Sequence, residues 1–138
     1  ELHGTLIYGD GKVLIELTKK EASLEKIISN NIQLTQPIGN TEQQLSGEIL
    51  DPKCWFGVMK PAEGKVHKSC AIRCISGGIS PVFRVQSDSG NKYYVLKGKT
   101  GEDINQMVLS YVGEPVQIQG KSYRQNGWQV LEVGEISL

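Results

Sequence analysis

The sequence has no net charge and no long block of like charge. Fifteen Lys and Arg residues balance fifteen Asp and Glu residues, so the formal net charge is 0. General nucleic-acid binders carry an excess of positive charge, and membrane-binding polybasic segments carry it in a run. The composition therefore makes nucleic acid an unexpected partner and argues against a polybasic membrane patch.

Long hydrophobic runs are also missing. The longest runs, such as residues 13–15, are far too short to span a bilayer, and no signal-peptide pattern opens the chain. Because the sequence begins at Glu1 and not at Met, we expect that a signal peptide or a membrane anchor once preceded it. The expected location is periplasmic or otherwise extracytoplasmic, with membrane contact made only through that anchor.

Cysteine and histidine are few, at three and two residues of 138. An odd number of cysteines precludes complete intramolecular pairing. The chain has no Cys-x-x-Cys, the usual signature of thioredoxin-like exchange, and no Cys-x-x-Cys-His, so we expect no covalent haem. No Ser/His/Asp arrangement and no paired acidic cluster stands out, and binding is therefore favoured over catalysis.

The three cysteines and one histidine nevertheless fall together in one window. Cys54 is followed by His67-x-x-Cys70-x-x-x-Cys74. Residues 66–76 have helical character, and a step of about 100° per residue places the side chains of His67, Cys70 and Cys74 within an arc of about 60°. Such a helix face, meeting Cys54 on a neighbouring segment, is the candidate site.

Several chemistries suit this window. Three thiolates and an imidazole form a recognised closed set for Zn²⁺, and soft sulfur ligands also suit Cu(I), with the Met59 thioether as an accessory ligand. Alternatively, Cys54 forms a disulfide with Cys70 or Cys74, and the remaining thiol is either structural or redox-active. Asp51 either binds backbone amides of its own turn or orients the imidazole.

The N-terminal part of the chain differs in pattern from the rest. Two β-prone runs flank Gly9-Asp10-Gly11, which predicts a β-hairpin over residues 4–17. Apolar residues then recur at helical spacing, which predicts a helix over residues 19–29.

Residues 30–44 show little periodicity and predict a linker. We therefore expect two parts, an N-terminal appendage of residues 1–43 and a main domain of residues 44–138.

The order of elements in the main domain predicts a barrel. Strands and one helix are expected in the order β, β, β, α, β, β, at residues 45–50, 81–86, 92–97, 102–112, 115–122 and 127–135. This order matches the five-stranded OB-type barrel, in which a helix between the third and fourth strands plugs one end. The Cys/His window then forms a helical insertion between the first and second strands.

The same window resembles a known motif. Asp51-x-x-Cys54, His67-x-x-Cys70-Ala71-x-x-Cys74 and the following Gly-Gly are similar to a pattern found in small, poorly characterised bacterial envelope proteins of OB-like type. The resemblance covers roughly residues 46–137. It implies an exported, often membrane-anchored protein with a common Cys/His centre, and it brings no established activity.

Aromatic side chains provide a second candidate surface. Trp55, Tyr94, Tyr123 and Trp128 can stack on bases or sugars, as aromatic residues of OB domains often do. The leading hypothesis is a non-catalytic metal- or redox-active module with a protein partner in the cell envelope. The alternative is an OB-type interaction domain, for a protein, a glycan or a single strand, whose cysteines are purely structural.

Overall fold

A computed structural model describes residues 1–26 and 35–138, and in these ranges the protein is mainly β. The strands are β1 (Gly4–Gly9), β2 (Lys12–Leu17), β3 (Ile38–Leu50), β4 (Val82–Ser87), β5 (Gly90–Lys97), β6 (Pro115–Gln125) and β7 (Trp128–Ser137). The helices are α1 (Pro52–Phe56), α2 (Gly64–Ser76) and α3 (Asn105–Val108), with 3₁₀ turns at Lys20–Ser23 and Leu109–Tyr111.

Strands β1 and β2 confirm the predicted hairpin. They pair antiparallel as far as Gly9 and Lys12. Between them, Asp10 and Gly11 have φ values of 45° and 68°. Two successive left-handed residues make the type I′ geometry, whose twist matches the flanking strands and which favours Asp-Gly.

The predicted helix over residues 19–29 is wrong in the part that the structure describes. A 3₁₀ turn occupies Lys20–Ser23, and Leu24 then forms an isolated β-bridge with Leu2. Ser23 is buried, and its hydroxyl accepts a hydrogen bond from the Lys19 amide at 2.8 Å. This local bond competes with a continuing helix. Residues 27–29 of the predicted helix lie outside the described ranges.

Strand β3 begins at Ile38, within the segment that was predicted to be a linker. It runs antiparallel to β6 and continues through residue 43 into the predicted strand 45–50. The polar pair Gln44 and Gln117 contributes a side-chain hydrogen bond of 3.0 Å between these two strands. The chain is therefore extended and paired across the predicted division.

The remaining five strands close into a barrel. Their order is β3-β4-β5-β7-β6, and β6 returns to β3. Every neighbouring pair is antiparallel except β5 and β7, which run parallel. Along the chain, α1 and α2 lie between β3 and β4, and α3 lies between β5 and β6.

Alternating strand residues and two helices fill the barrel. On β6, inward-facing and outward-facing positions alternate along most of the strand, as expected for a sheet with one buried face. The buried core includes Ile49, Phe83, Leu96, Ile118 and Leu131 from the strands, Ala71 and Ile75 from α2, and Val108 from α3. The inner faces of α2 and α3 thus belong to the same core as the barrel.

The N-terminal hairpin packs against the outside of the barrel. Ile7 and Leu14 contact a second buried cluster that includes Phe56 of α1 and Tyr93 of β5. Gly9 approaches α1 so closely that an added Cβ would lie 2.5 Å from the Phe56 carbonyl oxygen. The hairpin therefore covers the outer surface of α1 and of the adjoining strands.

Candidate metal centre

Helix α1 begins at a cap that the sequence encodes locally. The Asp51 Oδ1 atom accepts a hydrogen bond from the Lys53 amide at 2.9 Å, and Pro52 occupies the first turn, where its missing N–H has no cost. Asp51 is completely buried. This cap sets the direction of α1, which turns Cys54 into the protein interior with 7 % of its surface exposed.

Helix α2 supplies the other candidate ligands. It begins at Gly64, before the predicted start, and ends at Gly77-Gly78 as the sequence indicated. His67 is 6 % exposed and lies on the same side as the core residues of the helix. Cys70 and Cys74 are half-buried on its flank.

The structure brings the donor atoms together in two groups that share Cys54. The sulfur atoms of Cys54, Cys70 and Cys74 all lie within 4.8 Å of one another. A carboxylate oxygen of Asp51, the Cys54 sulfur and a ring nitrogen of His67 form a second group with the same limit. A Cys/His cluster within metal-binding distance is therefore present.

The four predicted ligands do not form one group. Within residues 1–26 and 35–138, no set of donor atoms within 4.8 Å contains His67 together with all three thiols. The helix rise explains the separation, since seven residues between His67 and Cys74 correspond to about 10.5 Å along the axis. Cys54 lies within reach of both ends of this interval, and the Asp51 carboxylate is close to the Cys74 thiol as well as to Cys54 and His67.

Two buried polar atoms of the second group have no hydrogen-bond partner. These atoms are Asp51 Oδ2 and His67 Nε2. An unpaired polar atom in a protein interior typically costs about 1–3 kcal/mol, and more when it is charged. Such atoms are rare in folded proteins, and both of these are chemically able to coordinate a metal ion.

The environment favours the protonated form of two thiols, those of Cys54 and Cys74, in the metal-free protein. Burial raises the pKa of the Cys54 thiol well above its ordinary value, and the adjacent Asp51 carboxylate, which favours a proton on sulfur, raises it further. The same two causes raise the pKa of Cys74 to about 11, and Lys53 opposes them weakly. Strong thiolate character at Cys54 and Cys74 therefore requires a cation.

Met59, predicted as an accessory ligand, lies on the surface beside α1. Its side chain is about half exposed and lines an open groove between α1 and the N-terminal hairpin, together with Leu6 and Tyr8. Cys54 lies at the edge of the same groove. Met59 and Cys54 thus line the same groove.

The predicted aromatic surface is divided between different parts of the protein. Tyr94 is 7 % exposed and belongs to the barrel core, and Tyr123 is half-buried on β6. Trp55 and Trp128 pack against the cluster under the hairpin. The Trp55 indole N–H donates a hydrogen bond to the Tyr93 hydroxyl at 2.9 Å. The Arg84 guanidinium lies 4.5 Å from the centroid of the Trp55 ring.

The sequence did not predict a third group of donors near the N-terminus. Glu1, His3 and Glu25 are exposed and close together, and His3 pairs with Glu25. Glu25 is far from Glu1 and His3 in the sequence and the three carry no motif, so the pairing of the two segments through the Leu2–Leu24 bridge and its flanking backbone hydrogen bonds brings them together.

Comparison of this chain with family models, curated proteins and solved structures found no match. Among the described residues, no helix is long and apolar enough to cross a membrane.

Proposed function

We propose that this protein binds a thiophilic metal ion, Zn²⁺ or Cu(I), through Cys54, Cys70 and Cys74, and that it acts as a binding module and not as an enzyme. The observation that carries the proposal is the mutual approach of the three sulfur atoms within 4.8 Å. Zn–S bonds of about 2.3 Å place two ligands of one ion at most about 4.6 Å apart. Small side-chain movements therefore suffice to bind an ion.

The positions of the thiols suit a metal site with access from solvent. Cys54 is a buried residue of α1, whereas Cys70 and Cys74 are half-buried on the side of α2. Two short segments of rigid backbone thus present three soft ligands to one point, and soft thiolates select ions such as Zn²⁺ and Cu(I).

The thiol environment argues against a redox role for the metal-free protein. Reactive cysteines have a lowered pKa, because the thiolate is the nucleophile. Here burial and the Asp51 carboxylate raise the pKa of Cys54 and Cys74. Thiol exchange by Cys54 and Cys74 at neutral pH would therefore be slow.

We also infer that the barrel is of the OB type. The support is the strand order β3-β4-β5-β7-β6, the parallel pair β5 and β7, and the helix α3 between the third and fourth barrel strands. OB domains commonly bind ligands on the face of their second and third strands. Here the hairpin packs on that side, against Val82 and Tyr93, which favours the metal hypothesis over strand or glycan binding.

The cellular setting is part of the proposal. The resemblance of the Asp51 to Gly78 motif to envelope proteins supports an exported or membrane-tethered protein with a protein partner in the cell envelope. The metal-binding module would then act together with that partner protein.

Elemental analysis of the purified protein, combined with a count of free thiols, tests the proposed function. We expect at least one equivalent of zinc or copper, and three thiols that titrate after denaturation with a chelator under non-reducing conditions. Cys70→Ser and Cys74→Ser should each weaken metal binding, whereas the exposed Ser69→Ala on the same helix should not. A protein with no metal and one free thiol would instead contain a disulfide, and the proposal would be wrong.

A further inference from the structure

The Cys54 sulfur belongs to two donor groups at once. One group contains the thiols of Cys70 and Cys74, and the other contains Asp51 and His67. We infer that the centre holds two metal ions bridged by the Cys54 thiolate, with the second ion bound by the Asp51 carboxylate and the His67 imidazole. This inference rests on the proposed function, because it assumes that the three thiols bind the first ion.

A single ion does not reach all five donors in this geometry. Zn–S bonds of about 2.3 Å and Zn–N bonds of about 2.0–2.1 Å require the ligands of one ion to lie within about 4.6 Å of one another. No set of described donor atoms that combines His67 with the three thiols meets even the wider limit of 4.8 Å. Each three-donor group meets that limit separately, and only Cys54 is common to both.

The second group has the features of a built site. His67 is 6 % exposed and Asp51 is 0 % exposed, and each has one buried atom without a hydrogen-bond partner, namely Nε2 and Oδ2. The other oxygen of Asp51 caps α1 at 2.9 Å, so the orientation of the carboxylate is held by the backbone. An imidazole, a carboxylate and a thiolate are all common ligands of Zn²⁺.

Charge balance favours two divalent ions over one. When Zn²⁺ binds, each S–H bond breaks, a sulfur–zinc bond forms and the proton passes to solvent. The three thiolates and an ionised Asp51 then carry four negative charges. The nearby cation Lys53 is engaged by Glu16. One Zn²⁺ would leave two of these charges uncompensated in a largely buried site, whereas two Zn²⁺ ions balance all four.

Titration of the metal-free protein with Zn²⁺, followed by native mass spectrometry, tests this inference. We expect two equivalents for the wild type and one for His67→Ala, which keeps the three-thiol group. Cys70→Ser should also retain one ion, at Asp51, Cys54 and His67. Cys54→Ser should lose both ions, because it removes the bridge, and Ser69→Ala should bind two.

A spectroscopic measurement on the wild type does not depend on any variant's folding. Two Co²⁺ ions that share a thiolate couple magnetically. The electron paramagnetic resonance signal should therefore decrease as the added Co²⁺ rises from one to two equivalents. One equivalent in the wild type that is retained in His67→Ala would overturn the two-ion centre and leave the proposed function standing. One equivalent that is lost in His67→Ala would overturn both, because the ion would then depend on His67 and not on the three thiols alone. No bound ion in the wild type would overturn the proposed function itself.

Discussion

Asp51 and Cys54 are linked by the geometry of one short helix. The Asp51 Oδ1 atom caps α1 through the Lys53 amide at 2.9 Å, and a carboxylate oxygen of the same residue lies within 4.8 Å of the Cys54 sulfur. The residue that begins the helix is thus also the acidic neighbour of the thiol that the helix presents. Structure and candidate chemistry therefore depend on the same side chain.

We expect Asp51→Ala to lower the free energy of unfolding of the metal-free protein by about 1 kcal/mol, because it removes the helix cap. Asp51→Asn keeps an oxygen that can accept the same hydrogen bond, and it should be less destabilising. Urea denaturation monitored by tryptophan fluorescence measures both changes. Equal losses in the two variants would show that the charge, and not the cap, stabilises α1.

We expect the metal-free protein to become less stable as the pH rises above 9. The folded state raises the pKa of the Cys54 and Cys74 thiols above 9.0, so it retains protons that the unfolded chain releases. The free energy of unfolding therefore falls as pH increases from about 9, and for Cys74 the fall continues to about 11.

Chemical denaturation across this pH range provides the measurement. A Cys54→Ser, Cys74→Ser double variant should show a flatter dependence, since its hydroxyls do not titrate there. A stability that is constant between about pH 8 and pH 10 in the wild type would contradict the prediction.

Adjacent residues on β2 should respond differently to truncation. Leu14 is half-buried against the cluster under the hairpin, whereas Ile15 points to the exposed face. We expect Leu14→Ala to cost about 1 kcal/mol, roughly half the value for a fully buried leucine, and Ile15→Ala to cost less. Urea denaturation compares the two, and Trp55 and Trp128 beneath the hairpin report its release. Similar effects for both variants would mean that the hairpin does not stay docked in solution.

Single-stranded oligonucleotides should not bind with measurable affinity. The chain has a net charge of 0, and Trp55, Tyr93 and Trp128 are packed in the cluster beneath the hairpin. Fluorescence anisotropy with a labelled oligonucleotide at low and high salt is the measurement. An affinity that falls steeply with salt would favour the strand-binding alternative.

Local patterns in the sequence predicted most of the regular structure. The hairpin over residues 4–17, the helix α2 and the last hairpin were predicted because side-chain period and Asp-Gly or Asn-Gly turns act over a few residues. The predicted helix over residues 102–112 is present as the short α3 followed by a 3₁₀ turn. Elements with strong local signals were thus located correctly, while some of their predicted lengths differ from those in the structure.

The first half of β3 had no such signal. Residues 38–44 are mostly polar and exposed, so they lack the alternation that marks a half-buried strand. Their extended conformation depends on pairing with β6, which lies far away in the sequence. Leu24 likewise has the spacing of a helix residue, but in the structure it forms a β-bridge with Leu2 instead.

For the candidate site, the sequence by itself determined which residues take part. Cys54, His67, Cys70 and Cys74 occupy one window, and helix periodicity places the last three on one side of α2. Only the tertiary structure decided how they are grouped, because the grouping depends on where α1 packs along α2. That contact brings Cys54 within reach of two thiols in one donor group and of Asp51 and the histidine in the other.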